Sequence, residues 1–190
     1  MTAFKTLGGT GPTTGTTTVT KTGTGVLTLS GANTTTGAFA INGGTVKLGN
    51  VLALGTTAGG ATVAAGAVLD LNGIAVGAEA LTLSGTGIGS NGALINSNAT
   101  AASTSGTVTM AAASSVGGTG AITLSGVVSG AFALTKVGTN TLTLGGANTY
   151  TGVTNITSGT LVAQNNAALG TNAGGTVISS GRSEERRVGK

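Results

Sequence analysis

The segment Thr20 to Gly66 returns without a gap as Thr135 to Gly181, at a constant offset of 115 residues (135 − 20). Thr20-Lys21 comes back as Thr135-Lys136, and Leu27-Thr28-Leu29 as Leu142-Thr143-Leu144. Gly31-Ala32-Asn33-Thr34 becomes Gly146-Ala147-Asn148-Thr149, and Ala53-Leu54-Gly55-Thr56 becomes Ala168-Leu169-Gly170-Thr171. Roughly half the aligned positions are identical, and self-similarity of this length marks a stacked solenoid rather than a globule with one centre. Such stacks present long surfaces, so the repeat weighs toward display and away from an enclosed catalytic pocket.

Along the chain, short alternating apolar runs recur between Gly and Asn turns: Val26-Leu27-Thr28-Leu29, Thr45-Val46-Lys47-Leu48, Val68-Leu69-Asp70-Leu71, Leu81-Thr82-Leu83, Val108-Thr109-Met110, Ile122-Thr123-Leu124 and Thr141-Leu142-Thr143-Leu144. Strand side chains have period two, so Leu27 and Leu29 share one face and Thr28 takes the other. Asn42-Gly43-Gly44, Asn72-Gly73, Ser90-Asn91-Gly92 and Ala173-Gly174-Gly175 supply the corners. No sustained helical stripe with caps is present, so helix is not expected. At roughly 20 residues per turn the body makes about eight or nine coils, a rod of about 40 Å, and the repeat offset spans about five or six coils.

Composition narrows the function. Charged residues are 6% of the chain, against about a quarter in an ordinary domain, yet Val, Ile and Leu recur regularly, which favours a folded β-rich chain over a disordered one. The net charge of +4 misleads, because four of the eight basic residues lie in the last nine positions. The body has only Lys5, Lys21, Lys47 and Lys136 against Asp70 and Glu79, too scattered for a nucleic-acid surface. Without cysteine there is no disulfide framework, thiolate chemistry or Cys-based zinc site. The start, Met1 to Leu7, lacks the pattern of a signal peptide, and no apolar run approaches the ~20 residues of a membrane helix.

Three zones follow. Residues 1–18 read as an irregular or partial N-terminal segment, with the single proline, Pro12. Residues 19–181 are the repeat array, with copies at about 19–66 and 134–181 and linking coils at 67–133. At 182 the repeat should continue as Ala-Val-Leu-Asp, but the chain reads Arg182-Ser183-Glu184-Glu185-Arg186-Arg187. That tail resembles the translation of a common sequencing adapter, so residues 182–190 are expected to be non-native read-through and the chain a fragment.

Leu134-Thr135-Lys136-Val137-Gly138-Thr139-Asn140-Thr141-Leu142-Thr143-Leu144-Gly145-Gly146-Ala147-Asn148-Thr149-Tyr150-Thr151-Gly152 resembles the autotransporter-associated β-strand repeat, also known as the passenger-associated transport repeat. Val19 to Gly37 is similar to a second copy, with Thr35 at the position of the aromatic Tyr150. Gly66 to Gly73 is similar to the segment that links such repeats, so the resemblance covers about residues 19–181. It implies a right-handed parallel β-helix (β-solenoid) in the passenger of a type V secretion autotransporter of a Gram-negative bacterium. It further implies display at the cell surface or secretion through the outer membrane, and a translocator barrel in the full-length protein. Adhesion to a host cell, matrix or neighbouring bacterial surface would be a common use.

Catalysis is poorly supplied. There is no His and no Trp, and the body has no Arg. Asp70 and Glu79 are its only carboxylates, and a glycosidase needs such a pair across a defined gap. The plainer expectation is a turn-proximal Asp70 pointing out to solvent and a loop Glu79. Gly87-Ile88-Gly89-Ser90-Asn91-Gly92 matches a dinucleotide fingerprint, but neither a helix start nor an acidic residue follows at the required distance, so a glycine-rich corner is expected. Asn33, Asn98 and Asn155 open Asn-x-Ser/Thr triplets. Asn33 and Asn148 hold equivalent positions and are expected to be buried turn or ladder residues. Tyr150, Phe39 and Phe132 are expected to pack rather than to form a sugar platform. No catalytic, cofactor-binding or metal-ligating residue is assigned, and no cofactor is expected. The expectation is a structural and adhesive β-helical segment without enzymatic activity. The alternative is the non-catalytic part of a polysaccharide-lyase-like or tailspike-like β-helix enzyme.

Overall fold

A computed structural model describes residues 14–16, 18–179 and 183–187. The segment expected to be irregular at 1–18, including Pro12, lies mostly outside them, as do 180–182 and 188–190. Among the described residues there is no α-helix, only one 3-10 turn at Ile88–Ser90. Every strand pair is parallel, as stacking of successive coils requires. The described residues form a β-solenoid of about eight coils, counted on the eight stacked strand segments that run from Val26–Leu29 to Thr176–Ile178.

Each coil has three faces. The first stacks Val19–Lys21, Phe39–Ile41, Ala61–Val63, Leu81–Gly85, the start of Val108–Gly118, and Val128–Ser129. The second stacks Val26–Leu29, Thr45–Leu48, Val68–Asp70, Leu94–Asn96, the end of Val108–Gly118, Leu134–Lys136, Thr154–Ile156 and Thr176–Ile178. Because Val108–Gly118 turns the corner, these two faces form one 13-stranded sheet. The third face is a separate 5-stranded sheet, Ala102–Thr104, Ile122–Leu124, Thr141–Leu144, Gly159–Ala163 and Ser183–Arg187. In the earlier coils its place is held by the bridge of Ala75 to Ser103 and by turn-to-turn bonds such as Thr56 N–H to the Thr35 carbonyl.

Alternation builds the core as expected. Phe39, Ala61, Leu81, Val108 and Val128 form an inward row on the first face, all buried. Val46, Leu69, Leu94 and Val116 do so on the second, and Ala102, Ile122, Leu142 and Leu161 on the third. Each inward residue touches its like above and below at about 4.8 Å, so the apolar area is removed from water by neighbours rather than by a distant element. In the last pair of the third face the backbone register sets Ser183–Arg187 against Gly159–Ala163.

Coil length varies from 19 residues (Val26 to Thr45) to 27 (Leu81 to Val108). This variation determines how the two repeat copies sit. Starting from Thr20, the first-face register runs to Ala40, Thr62, Thr82, Thr109 and Ser129, five coils on. Thr135, the equivalent of Thr20, lies beyond Ser129 on the next face, paired with Ser115. The offset is therefore five coils plus one face. Lys21 is on the first face and Lys136 on the second; Leu27 is on the second and Leu142 on the third. The Leu/Ile-Thr-Leu motif bears this out, since its instances at Leu81, Leu27 and Ile122 lie on three different faces.

Candidate functional site

The two body carboxylates do not form a pair. Asp70 keeps to the row of Lys47 and Ile95, off the core row, as alternation predicts. It does not reach solvent, however, being 3% exposed, and this corrects the sequence expectation. The next coil's corner closes over it: Oδ1 accepts from the Asn72 and Ser97 backbone N–H groups, and Oδ2 from Ser97 Oγ at 2.6 Å. A ladder of amides continues past this corner. Asn72 donates to the Leu48 carbonyl, Asn96 donates to the Thr100 and Ala121 carbonyls, and Asn140 donates to those of Gly117 and Gly120. Buried backbone groups that turn a corner lose their strand partners, and these side chains replace them. Glu79 lies in a different corner, between the third and first faces, and is also buried, at 2% exposure.

Gly87 to Gly92 is the corner loop that was expected; it lengthens the 27-residue coil and leads into the strand Leu94–Asn96 rather than a helix. Asn98 is half-buried and bonds Asn72, while Asn155 lies half-buried on the second face. Phe39 and Tyr150 are buried in the core, and Phe132 is exposed. Among the described residues, no group of three or more His, Cys, Asp or Glu stands together.

The repeat-specific residues converge on a different feature, and sequence reading missed it. Lys136 occupies the second-face core row between Val116 and Ile156 and is fully buried. Its stem packs as an aliphatic chain and its head turns to the corner. There Nζ donates to the Val137, Gly138 and Ser158 carbonyls at 2.7, 3.0 and 3.2 Å. Lys21 does the same with Thr22, Gly23 and Gly43 at 2.8, 2.8 and 3.0 Å, every partner shifted by 115 residues. The seat includes a glycine of the next coil, Gly44 or Gly159, at φ +66° and +75°; a Cβ there would stand 2.7 Å from the lysine nitrogen. Burial pulls the Lys136 ammonium down to about 8. The signal was present in the sequence: in Leu134-Thr135-Lys136 alternation puts the lysine on the side of the leucine.

Asparagine repeats the pattern. Asn148 accepts from Val128 N–H at 2.8 Å and donates to the Ala168 carbonyl at 2.6 Å, so it ties the coils on either side; Asn33 likewise donates to Ala53. Both are buried, as expected. The model of the family described as Passenger-associated-transport-repeat matches residues 19–48 and again 134–163. The chain carries two passenger-associated transport repeats. No curated protein and no solved structure matches it. The repeat and the solenoid fit a segment of an autotransporter passenger.

The geometry explains the change from Thr35 to Tyr150 between the transport repeats. In the second copy Tyr150 is buried, with Oη 2.6 Å from Thr154 Oγ1. In the first copy the equivalent positions hold Thr35 and Phe39, also buried. Each copy thus supplies one ring and one threonine to a pair four residues apart, with the two exchanged, which keeps the filled volume nearly constant. Replacing Asn148 with alanine strands the Val128 N–H and the Ala168 carbonyl. We expect a loss of about 2–4 kcal/mol, read from urea melts, and Asn148→Asp to rescue only the half that accepts.

The outward rows of the first and third faces carry no charge among the described residues before 183. The outward rows are Thr62, Thr82, Thr109 and Ser129 on the first face and Ser103, Thr123 and Thr143 on the third.

Proposed function

We propose that this chain is a structural and adhesive β-helical segment of a surface-displayed or secreted passenger and carries no catalytic site of its own. In the full-length protein its partner would be a translocator barrel in the outer membrane, and its ligand a host-cell, matrix or neighbouring bacterial surface. One observation carries the reading: Asp70, Lys21 and Lys136 are spent on holding coils together, while the first and third faces present mainly uncharged Ser and Thr. Asp70 has its carboxylate occupied by three donors, and Lys21 and Lys136 are bound to backbone carbonyls. The same occupancy weighs against a catalytic site within this segment; the alternative, the non-catalytic part of a polysaccharide-lyase-like or tailspike-like β-helix enzyme, would carry its acids on flanking coils.

The test is display. Residues 19–179 are placed between a signal peptide and a translocator barrel on a non-adherent bacterium. Adherence to matrix-coated plates or to sister cells, above that of the barrel alone, is the expected result. Full surface exposure without any gain in adherence would reduce the segment to a spacer. Turnover of any acidic polysaccharide would remove the non-catalytic reading.

A further inference from the structure

Of the two body carboxylates, Asp70 is held by three donors, whereas Glu79 has none at Oε1. It follows Ala75 to Ala78 in the corner between third and first faces and is almost wholly buried, yet Oε1 has no hydrogen-bond partner. The Glu79 backbone carbonyl is engaged from the coil above, by Thr104 Oγ1, and a Cβ on Gly106 would collide with it. From the coil below, the Ala61 N–H reaches the adjacent Ala80 carbonyl. The corner is therefore sandwiched. The passes that face it, residues 56–60 below and 104–107 above, contain no titratable side chain, and its own pass, 75–80, contains none besides Glu79. The strand it leads into, Leu81–Gly85, has none either. Asp70, the other acid on this coil, is bound in the opposite corner to Ser97 and Asn72. In the coil below, the same corner holds a second buried atom without a partner, Thr56 Oγ1.

We propose that Glu79 is a proton-operated latch: a neutral carboxyl keeps this corner closed, and loss of its proton lets the corner at 75–80 open from the pass at 104–107. Burying an ionised carboxylate whose Oε1 has no donor is costly, and burying the protonated acid costs far less. Burial accordingly pushes the carboxyl up to about 7 from 4.5. The sign follows from linkage. The closed state holds the proton more tightly than the open one. Closure is therefore fully favoured below 4.5, weakens as pH rises, and has lost this contribution above 7. A corner that tightens in acid and loosens at neutrality is a conformational device distinct from adhesion, and it works whether or not the faces bind anything.

The experiment compares hydrogen exchange at 75–80 and 104–107 in the intact chain at pH 5 and pH 8, corrected for intrinsic exchange. The partner is Glu79→Gln, which is neutral at both values. Wild type should open on the order of a hundredfold more at pH 8. Glu79→Gln should be insensitive to pH. Equal wild-type protection at both values, or the same pH dependence in the glutamine variant, overturns the latch. If the variant fails to fold, a carbon-detected titration of the Glu79 carboxyl in wild type decides instead. A midpoint near neutrality supports the latch, and one near 4.5 overturns it.

Discussion

Leu142→Asp is expected to destroy the stack around the third face, while Leu27→Asp leaves most of the chain folded, although the two leucines are the same residue of the repeat. Leu142 is fully buried and paired with Ile122 on one side and Leu161 on the other. Removing the leucine alone costs roughly 2–5 kcal/mol, and the aspartate adds a buried carboxyl without a donor. The total should exceed about 4 kcal/mol, a large part of the ~5–15 kcal/mol that holds a domain together. Leu27 is only half-buried, in the first described coil, where it pairs with Val46. Water can reach its carboxylate, so about 1–2 kcal/mol is expected there. Limited proteolysis reads the difference: early cleavage in residues 122–161 of the first variant, and a wild-type pattern beyond the first coil in the second. Undiminished protease resistance of Leu142→Asp would contradict the inward row.

Lys136→Met should cost at least about 3 kcal/mol, and Lys21→Met about 1 kcal/mol or less. Methionine keeps the aliphatic stem, so the change isolates the donors. In the buried seat, the Val137, Gly138 and Ser158 carbonyls lose their cation together, at roughly 1–3 kcal/mol for each group left dry. Lys21 is half-buried with two of its bonds exposed, so water replaces the ammonium. A solenoid's stability is a sum of terms between neighbours, so the loss should appear as local opening of the coils at 136–158 before any global transition. Amide exchange there, set against urea melts, measures it. Equal effects of the two substitutions would show that burial is not what makes the second seat strong.

Both contrasts separate what local pattern reveals from what it hides. Period two correctly placed Leu27, Leu81, Ile122 and Leu142 inward, and equivalent positions marked Asn33 and Asn148 as buried ladder residues. The same rule puts Lys136 on the side of Leu134, but read only for apolar residues it does not register a lysine in the core row. It also left Asp70 in solvent, since the group that covers it, Ser97, lies 27 residues further along the chain, beyond any local window. Glu79 was placed in a loop, and it is in one. Its burial comes from the passes above and below, which a linear reading does not see. Counting residues put the repeat at five or six coils; the answer falls between, because the insertion at Gly87 to Gly92 stretches one coil to 27 residues.

That in-between answer gives the rod a sense of direction around its axis. One repeat advances its signature strand by a third of a circumference, so identical sequence looks out to different sides. Were a third copy joined at the same spacing, it would complete the set. A fourth would return to the original heading after 345 residues (3 × 115), some 16 coils or about 75 Å along the rod. A flat target would meet only every third copy, whereas a crowded surface would be met from all sides at once.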